Sequence, residues 1–225
     1  AEAVAFLSAP ETYGPGVADV RRIETHISHV FLAGDRAFKL KKAVRYPYLD
    51  FSTLEKRRAA CEAEVVVNRR TAPGLYKGAV ALVRRPDGRL AIDEPGVTPS
   101  DPVDWLVAMA RFDEDTLFDR LARRGALDRR LIGELAAVVA RFHREAEIHR
   151  AADSAEGLRA TVDGNAASMA GQAGDVFAAA ERDRLRDLSH ARLAALRPLL
   201  DRRRAQGLVR RCHGDLHLRN ICLVE

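Results

Sequence analysis

The residues of this 225-residue chain that could do chemistry are concentrated close to its last residue. In the segment 212–220, His213 is followed by Gly214 and Asp215, and Asn220 comes five residues after the aspartate. This is the H-x-D-x-x-x-x-N spacing of phosphoryl-transfer catalytic loops, in which the carboxylate accepts the proton of the attacking hydroxyl and the amide oxygen ligates Mg²⁺. The spacing predicts Asp215 as the catalytic residue and Asn220 as the metal ligand.

Two other interpretations of the same segment stay open. One is a strand–turn–strand in which Gly214 and Asp215 make the turn and the histidines are incidental. The other is a metal-dependent phosphohydrolase, because residues 214–217 also match a fragment of metallophosphoesterase motifs. Only five residues follow Asn220, whereas that class needs further ligands downstream, and zinc-site spacing is not satisfied.

Composition narrows the class of partner. Lys and Arg number 37 against 32 Asp and Glu, a formal net charge of +5, and 31% charged with 47% apolar residues is ordinary for a globular domain. The arginines come as scattered pairs without interleaved aromatic residues, which indicates solvated faces rather than a nucleic-acid surface. The mild positive charge favours an anionic ligand such as a nucleotide.

The cysteines and the apolar runs predict a cytoplasmic location. Cys61, Cys212 and Cys222 form no C-x-x-C pair, which is typical of reduced thiols in the cytosol. Residues 1–7 lack the basic region and the long apolar core of a signal peptide. No apolar run approaches membrane-spanning length, so we expect no membrane partner.

The sequence of the first half of the chain predicts short strands and one helix. Alternating residues predict strands at 22–25, 30–32 and 37–41, with a turn at 34–35. In the third strand Lys39 and Lys41 share one face, while Phe38 and Leu40 take the other. A segment with Pro47 follows.

A helix comes next. Ser52 at the N-cap and Glu55 form a capping box that opens a helix from 53 to about 70. Glu64 lies on one stripe with Cys61, Val65 and Asn68, so we expect it rather than Glu62 to face inward.

The remaining patterns complete an α+β, bilobal, protein-kinase-like fold. Further strands are predicted at 78–83, 89–92 and 105–109, and helices carry the apolar positions 131–142 and the tract 175–204. We expect an N-terminal lobe (residues 1–108) with a five-stranded antiparallel sheet and one helix, a hinge (109–112), and a mostly helical C-terminal lobe (113–225).

Taken together, these segments resemble the aminoglycoside phosphotransferase-like (small-molecule kinase) family. The likeness is to an uncharacterised bacterial subgroup whose kinase-like domain is often followed by a P-loop ATP-binding domain. It covers essentially the whole chain and is carried by residues 24–28, 38–42, 49–55, 61–65 with 68, 72–73 with 75–76, and 213–220. The resemblance implies ATP and Mg²⁺ as cofactors, a small-molecule hydroxyl substrate, and a fused or partner P-loop domain. This chain has no G-x-x-x-x-G-K-[ST] of its own.

The resemblance also implies roles for the strand and helix residues. Lys39 pairs with nucleotide phosphates and Glu64 holds it, as kinases arrange these residue types. Lys41 faces the same way and is a rival for the lysine role. Thr25 and Ser28 lie where kinases cover the phosphates, but no G-x-G-x-x-G is present. The alternative for these two is a polar hairpin turn.

Further roles follow for the hinge and for the loop histidines. The backbone of Met109 and Arg111 would read the adenine edge, although Met109 suits a core gap equally well. His213 would brace the catalytic loop, and His217 would order it by hydrogen bonding.

The second metal ligand of kinases is not found in this chain. It is an Asp a few residues past the Asn, and the sequence stops at Glu225 before that position. We therefore expect this 225-residue form to be catalytically incomplete. The alternative is a kinase-like module that binds nucleotide without turnover.

Overall fold

The computed structural model describes residues 1–46, 48–151, 153–172 and 178–224. The fold is α+β, with a curled antiparallel sheet followed by helices, so the predicted class is confirmed. The chain forms two compact units, Ala1–Leu135 with His213–Glu225, and Ala136–Cys212. The segments 113–135 and 213–225 belong to the first unit, and the predicted division into lobes at 109–112 stays a prediction.

The sheet has six strands rather than the five expected. The strands are β1 Val20–Glu24, β2 Ser28–Ala33, β3 Arg36–Lys41, β4 Arg45–Tyr46, β5 Leu49–Asp50, β6 Tyr76–Arg84, β7 Leu90–Ile92 and β8 Pro102–Ala110. All pairs are antiparallel in the order β1-β2-β3-β8-β6-β7, and β4 with β5 makes a separate hairpin. The edge strand β7 matches the strand predicted at 89–92 and follows a tight turn where Gly88 has a φ of 83°. Pro47, in the β4–β5 segment, lies outside the described residues.

Each face of the sheet packs against a helix. On one face, Phe31, Phe38 and Leu40 are buried with Leu7 of α1 (Glu2–Ser8). On the other face, α2 (Leu54–Arg69) packs against β6 and β8, where Cys61, Val65, Trp105 and Val107 form the core. The expectation of a single helix was wrong, since α1 covers the face opposite α2. The inward positions predicted for Phe38 and Leu40 are confirmed.

Helix α2 begins one residue later than the capping box predicts. Thr53 is the N-cap, in extended conformation, and its Oγ1 accepts from the Lys56 amide at 3.3 Å. Ser52 instead donates its hydroxyl to Asp50 Oδ1 at 2.6 Å. Ser52 and Thr53 could each cap the helix. Because the Asp50 carboxylate binds Ser52, Thr53 is the residue that caps it.

The remaining helices are α3 Phe118–Arg123, α4 Arg129–Glu145, α5 Ser154–Gln172 and α6 Ala179–Ala205. Leu131 of α4 is buried with Phe118 and Leu121, as its place on the apolar stripe predicts. In the second unit α5 packs against α6. Residues 175–177, where the tract 175–204 was predicted to begin, lie outside the described residues. No helix within the described ranges is both long and apolar enough to cross a membrane.

Candidate functional site

The first part of the candidate site is an ion cluster between β3 and α2. Lys39 Nζ lies 2.6 Å from Glu64 Oε1, and Lys41 Nζ lies 2.6 Å from Glu64 Oε2. Strand alternation puts both lysines on the face that α2 covers, and the helical stripe turns Glu64 toward them. Two ammonium groups share one carboxylate, so the cluster carries a formal charge of +1 and suits an anion.

The two lysines differ in their surroundings. The Lys41 side chain is 7% exposed and its Nζ lies 5.0 Å from the centre of the Phe51 ring, whereas the Lys39 side chain is 27% exposed. Lys39 is therefore the ammonium that a ligand reaches more easily. Sequence reasoning missed Phe51, although it stands in a segment that carries the family resemblance.

Mutual charge keeps Lys39 and Glu64 ionised. Burial alone would raise the pKa of Glu64, but the charges and hydrogen bonds of Lys39 and Lys41 outweigh it and lower that pKa. Burial alone would lower the pKa of Lys39, but Glu64 outweighs it and the net pKa is raised. Both groups are thus charged at neutral pH.

Tyr76 lies beside this cluster and was not predicted as a site residue. Burial raises the pKa of its phenol; the charge of Lys39 lowers it, and the charges of Glu64 and Cys222 raise it further. Cys222 follows the catalytic loop by two residues. Tyr76 is thus in electrostatic range of both the ion cluster and the residues that leave the loop.

Thr25 and Ser28 close the hairpin between β1 and β2. Thr25 Oγ1 accepts from the Ser28 amide at 2.9 Å and lies 3.1 Å from the Ser28 carbonyl oxygen, to which the Thr25 amide donates at 2.8 Å. Ser28 is buried and pairs with Lys41 in the sheet register. This geometry is that of the polar hairpin turn, and the contact of these residues with phosphates stays a prediction.

The predicted hinge residues continue the sheet. Met109 lies in β8 and packs partly against the core under α2. The Ala110 amide donates to the Leu75 carbonyl at 2.8 Å, and the Arg111 amide donates to the Asp35 carbonyl at 2.7 Å. These two amides are used within the sheet unit, so the adenine contact of Met109 and Arg111 stays a prediction.

Arg111 also borders an open cleft of about 440 Å³. Glu114 divides its carboxylate there between Arg21 and Arg120, at 2.5 to 2.6 Å. The remaining residues that line the cleft are Phe112, Asp113 and Asp115. The charges of this cleft are thus largely paired with one another.

The second part of the candidate site is the predicted catalytic loop, and a short antiparallel pairing anchors it. The Phe118 amide donates to the Ile221 carbonyl at 2.9 Å, and the Leu223 amide donates to the Thr116 carbonyl at 3.0 Å. Ile221 packs against the cluster of Phe118 and Leu121. The apolar residues after the loop thus fix its end to the sheet unit.

Inside the loop Asp215 and Asn220 are in direct contact. Asn220 Nδ2 donates to the Asp215 carbonyl at 2.8 Å and to its Oδ2 at 2.9 Å. Gly214 turns the chain with a φ of 84°, and the Asp215 amide donates to His213 Nδ1 at 3.2 Å. The Asp215 side chain is 75% exposed and so is accessible from solvent. The bracing role of His213 stays a prediction, with the contact to the Asp215 amide as its local partner.

The oxygen atoms of this loop fit a hard divalent cation. Because Asn220 Nδ2 is used in two contacts with Asp215, the atom Asn220 can offer to a metal is Oδ1. A carboxylate and an amide oxygen are ligands that Mg²⁺ accepts while it keeps several waters. In the described residues no group of three or more His, Cys, Asp or Glu is arranged to hold a metal ion by itself.

Comparison with known proteins gives relatives without an assigned function. No protein-family model matches the chain. Uncharacterised proteins of Mycobacterium tuberculosis and Mycobacterium bovis are each 35% identical to it over 136 residues, which is 60% of this chain and 24% of each relative. The chain thus matches about a quarter of the length of these relatives.

Proposed function

We propose that this chain carries the kinase-like part of an ATP- and Mg²⁺-dependent phosphotransferase that acts on a hydroxyl of a small molecule. The observation that supports it best is the 2.6 Å contact of Lys39 with Glu64, between the third strand and the helix α2. Kinases need this strand-lysine and helix-glutamate pair in place for activity. The two residues are 25 positions apart, and the kinase resemblance singles out both.

The proposed roles follow from the chemistry of the side chains. Bound Mg-ATP supplies the phosphoryl group and the metal ion. Lys39 binds phosphate oxygens as a point charge, and Glu64 orients it while Lys41 holds the second carboxylate oxygen. Asp215 accepts the proton of the acceptor hydroxyl, and Asn220 offers Oδ1 to Mg²⁺.

We propose that the chain is of the aminoglycoside phosphotransferase-like type, with the bilobal kinase-like arrangement of that family. An accompanying P-loop ATP-binding domain, fused or separate, belongs to the same proposal. The relatives have room for one, because the matched segment is only 24% of their length.

A nucleotide-binding module without turnover is the second candidate. The observation that favours it is that Lys39, Lys41 and Glu64 form their cluster between β3 and α2 without any residue of the predicted catalytic loop. Binding without turnover by the full-length protein would support this candidate.

Calorimetric titration of the chain with Mg-ADP tests the proposal. We expect binding by the wild type, a loss of about tenfold or more in affinity for Lys39→Ala, and a smaller loss for Lys41→Ala because Lys41 is more buried. Lys77→Ala, on the exposed side of β6, is the matched control and should bind like the wild type. No heat and no thermal shift at millimolar nucleotide would overturn the assignment.

A further inference from the structure

We propose that His217 is a positioning residue for Asp215 and acts as the Nε2-protonated tautomer. Its Nε2 lies 3.5 Å from Asp215 Oδ1. Asn220 Nδ2 donates to the other carboxylate oxygen at 2.9 Å, so the Asp215 carboxylate lies between the two side chains. The catalytic part of this inference rests on the proposed function, whereas the tautomer is a property of the loop itself.

The tautomer follows from the backbone contact of the ring. The Arg219 amide donates to His217 Nδ1 at 3.2 Å, in the turn that caps the 3₁₀ helix Leu218–Asn220. A backbone N–H is always a donor, so Nδ1 is an acceptor and carries no proton. The proton of the neutral imidazole is then on Nε2.

The direction of that proton follows from Asn220. Its amide nitrogen has two hydrogens, and both are used, on the Asp215 carbonyl oxygen and on Oδ2. The 3.3 Å approach of Asn220 Nδ2 to His217 Nε2 is therefore between two donors and is not a hydrogen bond. Asp215 Oδ1 is the acceptor that remains for the Nε2 proton.

The neighbouring charges leave this arrangement undisturbed. Arg219 turns its guanidinium toward Asp119 of α3, with Nε 3.8 Å from Oδ2, rather than toward Asp215. His213 Nδ1 accepts a hydrogen bond from the backbone amide of Asp215 and makes no hydrogen bond with its carboxylate. Asp215 is exposed, so its side-chain torsions are restrained chiefly by Asn220 and His217. We expect His217 to act on turnover by orienting the carboxylate.

Two amide variants separate the two nitrogens of His217. Asparagine has an acceptor near the Nδ1 position, so His217→Asn keeps the contact with Arg219 and loses the donor to Asp215. Glutamine places an N–H near the Nε2 position, so His217→Gln keeps that donor. In the full-length protein at about pH 8, we expect His217→Asn to lower kcat about tenfold and to leave the KM for ATP unchanged. The fall in kcat for His217→Gln should be several-fold smaller. Equal kcat values for the two variants would overturn the positioning role.

A spectroscopic measurement tests the tautomer without any turnover. In the nitrogen-15 spectrum of the labelled 225-residue chain, we expect the His217 ring to show a protonated Nε2 and an unprotonated Nδ1. A protonated Nδ1 would overturn the inference. A confirmed tautomer in a full-length protein that never turns over ATP would instead overturn the proposed function, and with it the role of His217 in turnover.

Discussion

The two parts of the candidate site are built in opposite ways. The Lys39–Glu64–Lys41 cluster joins residues 23 and 25 positions apart, and its side chains are mostly buried between a strand and a helix. The loop contacts join residues within five positions, and the Asp215 side chain is 75% exposed. The cluster therefore depends on tertiary packing, whereas the loop depends on local backbone geometry.

This difference separates stability from activity. A buried charge that loses its partner is strongly destabilising, because its desolvation is no longer offset. An exposed carboxylate that makes local hydrogen bonds contributes little to folding. Substitutions in the cluster should therefore alter folding and nucleotide binding together, and substitutions in the loop should alter turnover alone.

The largest expected effect is on turnover. Asp215→Asn in the full-length protein should lower kcat by about two or more orders of magnitude, the size typical of a lost general base, and leave ATP affinity nearly unchanged. Steady-state kinetics and calorimetry measure the two quantities. Asp35→Asn, whose side chain is 97% exposed in the β2–β3 turn, is the control and should match the wild type. A parallel loss of ATP affinity would contradict the separation of the two parts.

The next effect is on folding. Glu64→Gln leaves two partly buried ammonium groups without a carboxylate and should lower the free energy of unfolding by about 3 kcal/mol. Glu62→Gln is the matched control two residues away, because it removes only an exposed pair with Arg58 and should cost less than about 0.5 kcal/mol. Urea denaturation of both variants measures the difference. Equal losses would mean that Glu64 is not the buried partner of the lysines.

The contribution of Glu64 should also depend on pH. Its pKa is lowered in the fold from an ordinary value of 4.5, so the stabilisation is complete above pH 4.5 and is lost as the pH falls through the folded value. The pKa of Lys39 is raised from 10.5, so its contribution is complete below that pH and is lost only at higher pH. The difference in unfolding free energy between the wild type and Glu64→Gln should therefore stay constant from pH 6 to 8 and shrink in acid. A difference independent of pH down to 3 would contradict this linkage.

The sequence was sufficient for features that follow a period or a fixed spacing. Alternation located β1 to β3 and placed Phe38 and Leu40 in the core, and the helical stripe selected Glu64 over Glu62. The loop spacing was sufficient to predict that Asp215 and Asn220 lie close together. A loop of five residues next to a glycine turn has few backbone conformations that separate them.

Features that depend on the choice of partner could not be predicted. Spacing puts Lys39 and Lys41 on one face, but only packing shows that Glu64 binds both. The sheet register decides that the Ala110 and Arg111 amides are already used. Helix α5 has no sustained apolar stripe to reveal it, and α1 forms where the open face of the sheet must be covered.

The smallest expected effect concerns the start of the helix that carries Glu64. Thr53→Ala removes the hydroxyl that accepts the Lys56 amide and should lower the free energy of unfolding by about 1 kcal/mol. Ser52→Ala is the matched neighbour; it removes an exposed hydrogen bond to Asp50 and should cost about half as much or less. Thermal or urea denaturation compares them. Because the cap lies more than two helical turns from Glu64, neither variant should change the affinity for Mg-ADP. A larger loss of unfolding free energy for Ser52→Ala would indicate that Ser52 caps the helix after all. A loss of Mg-ADP affinity in the Thr53 variant would show that the ion cluster depends on how α2 begins.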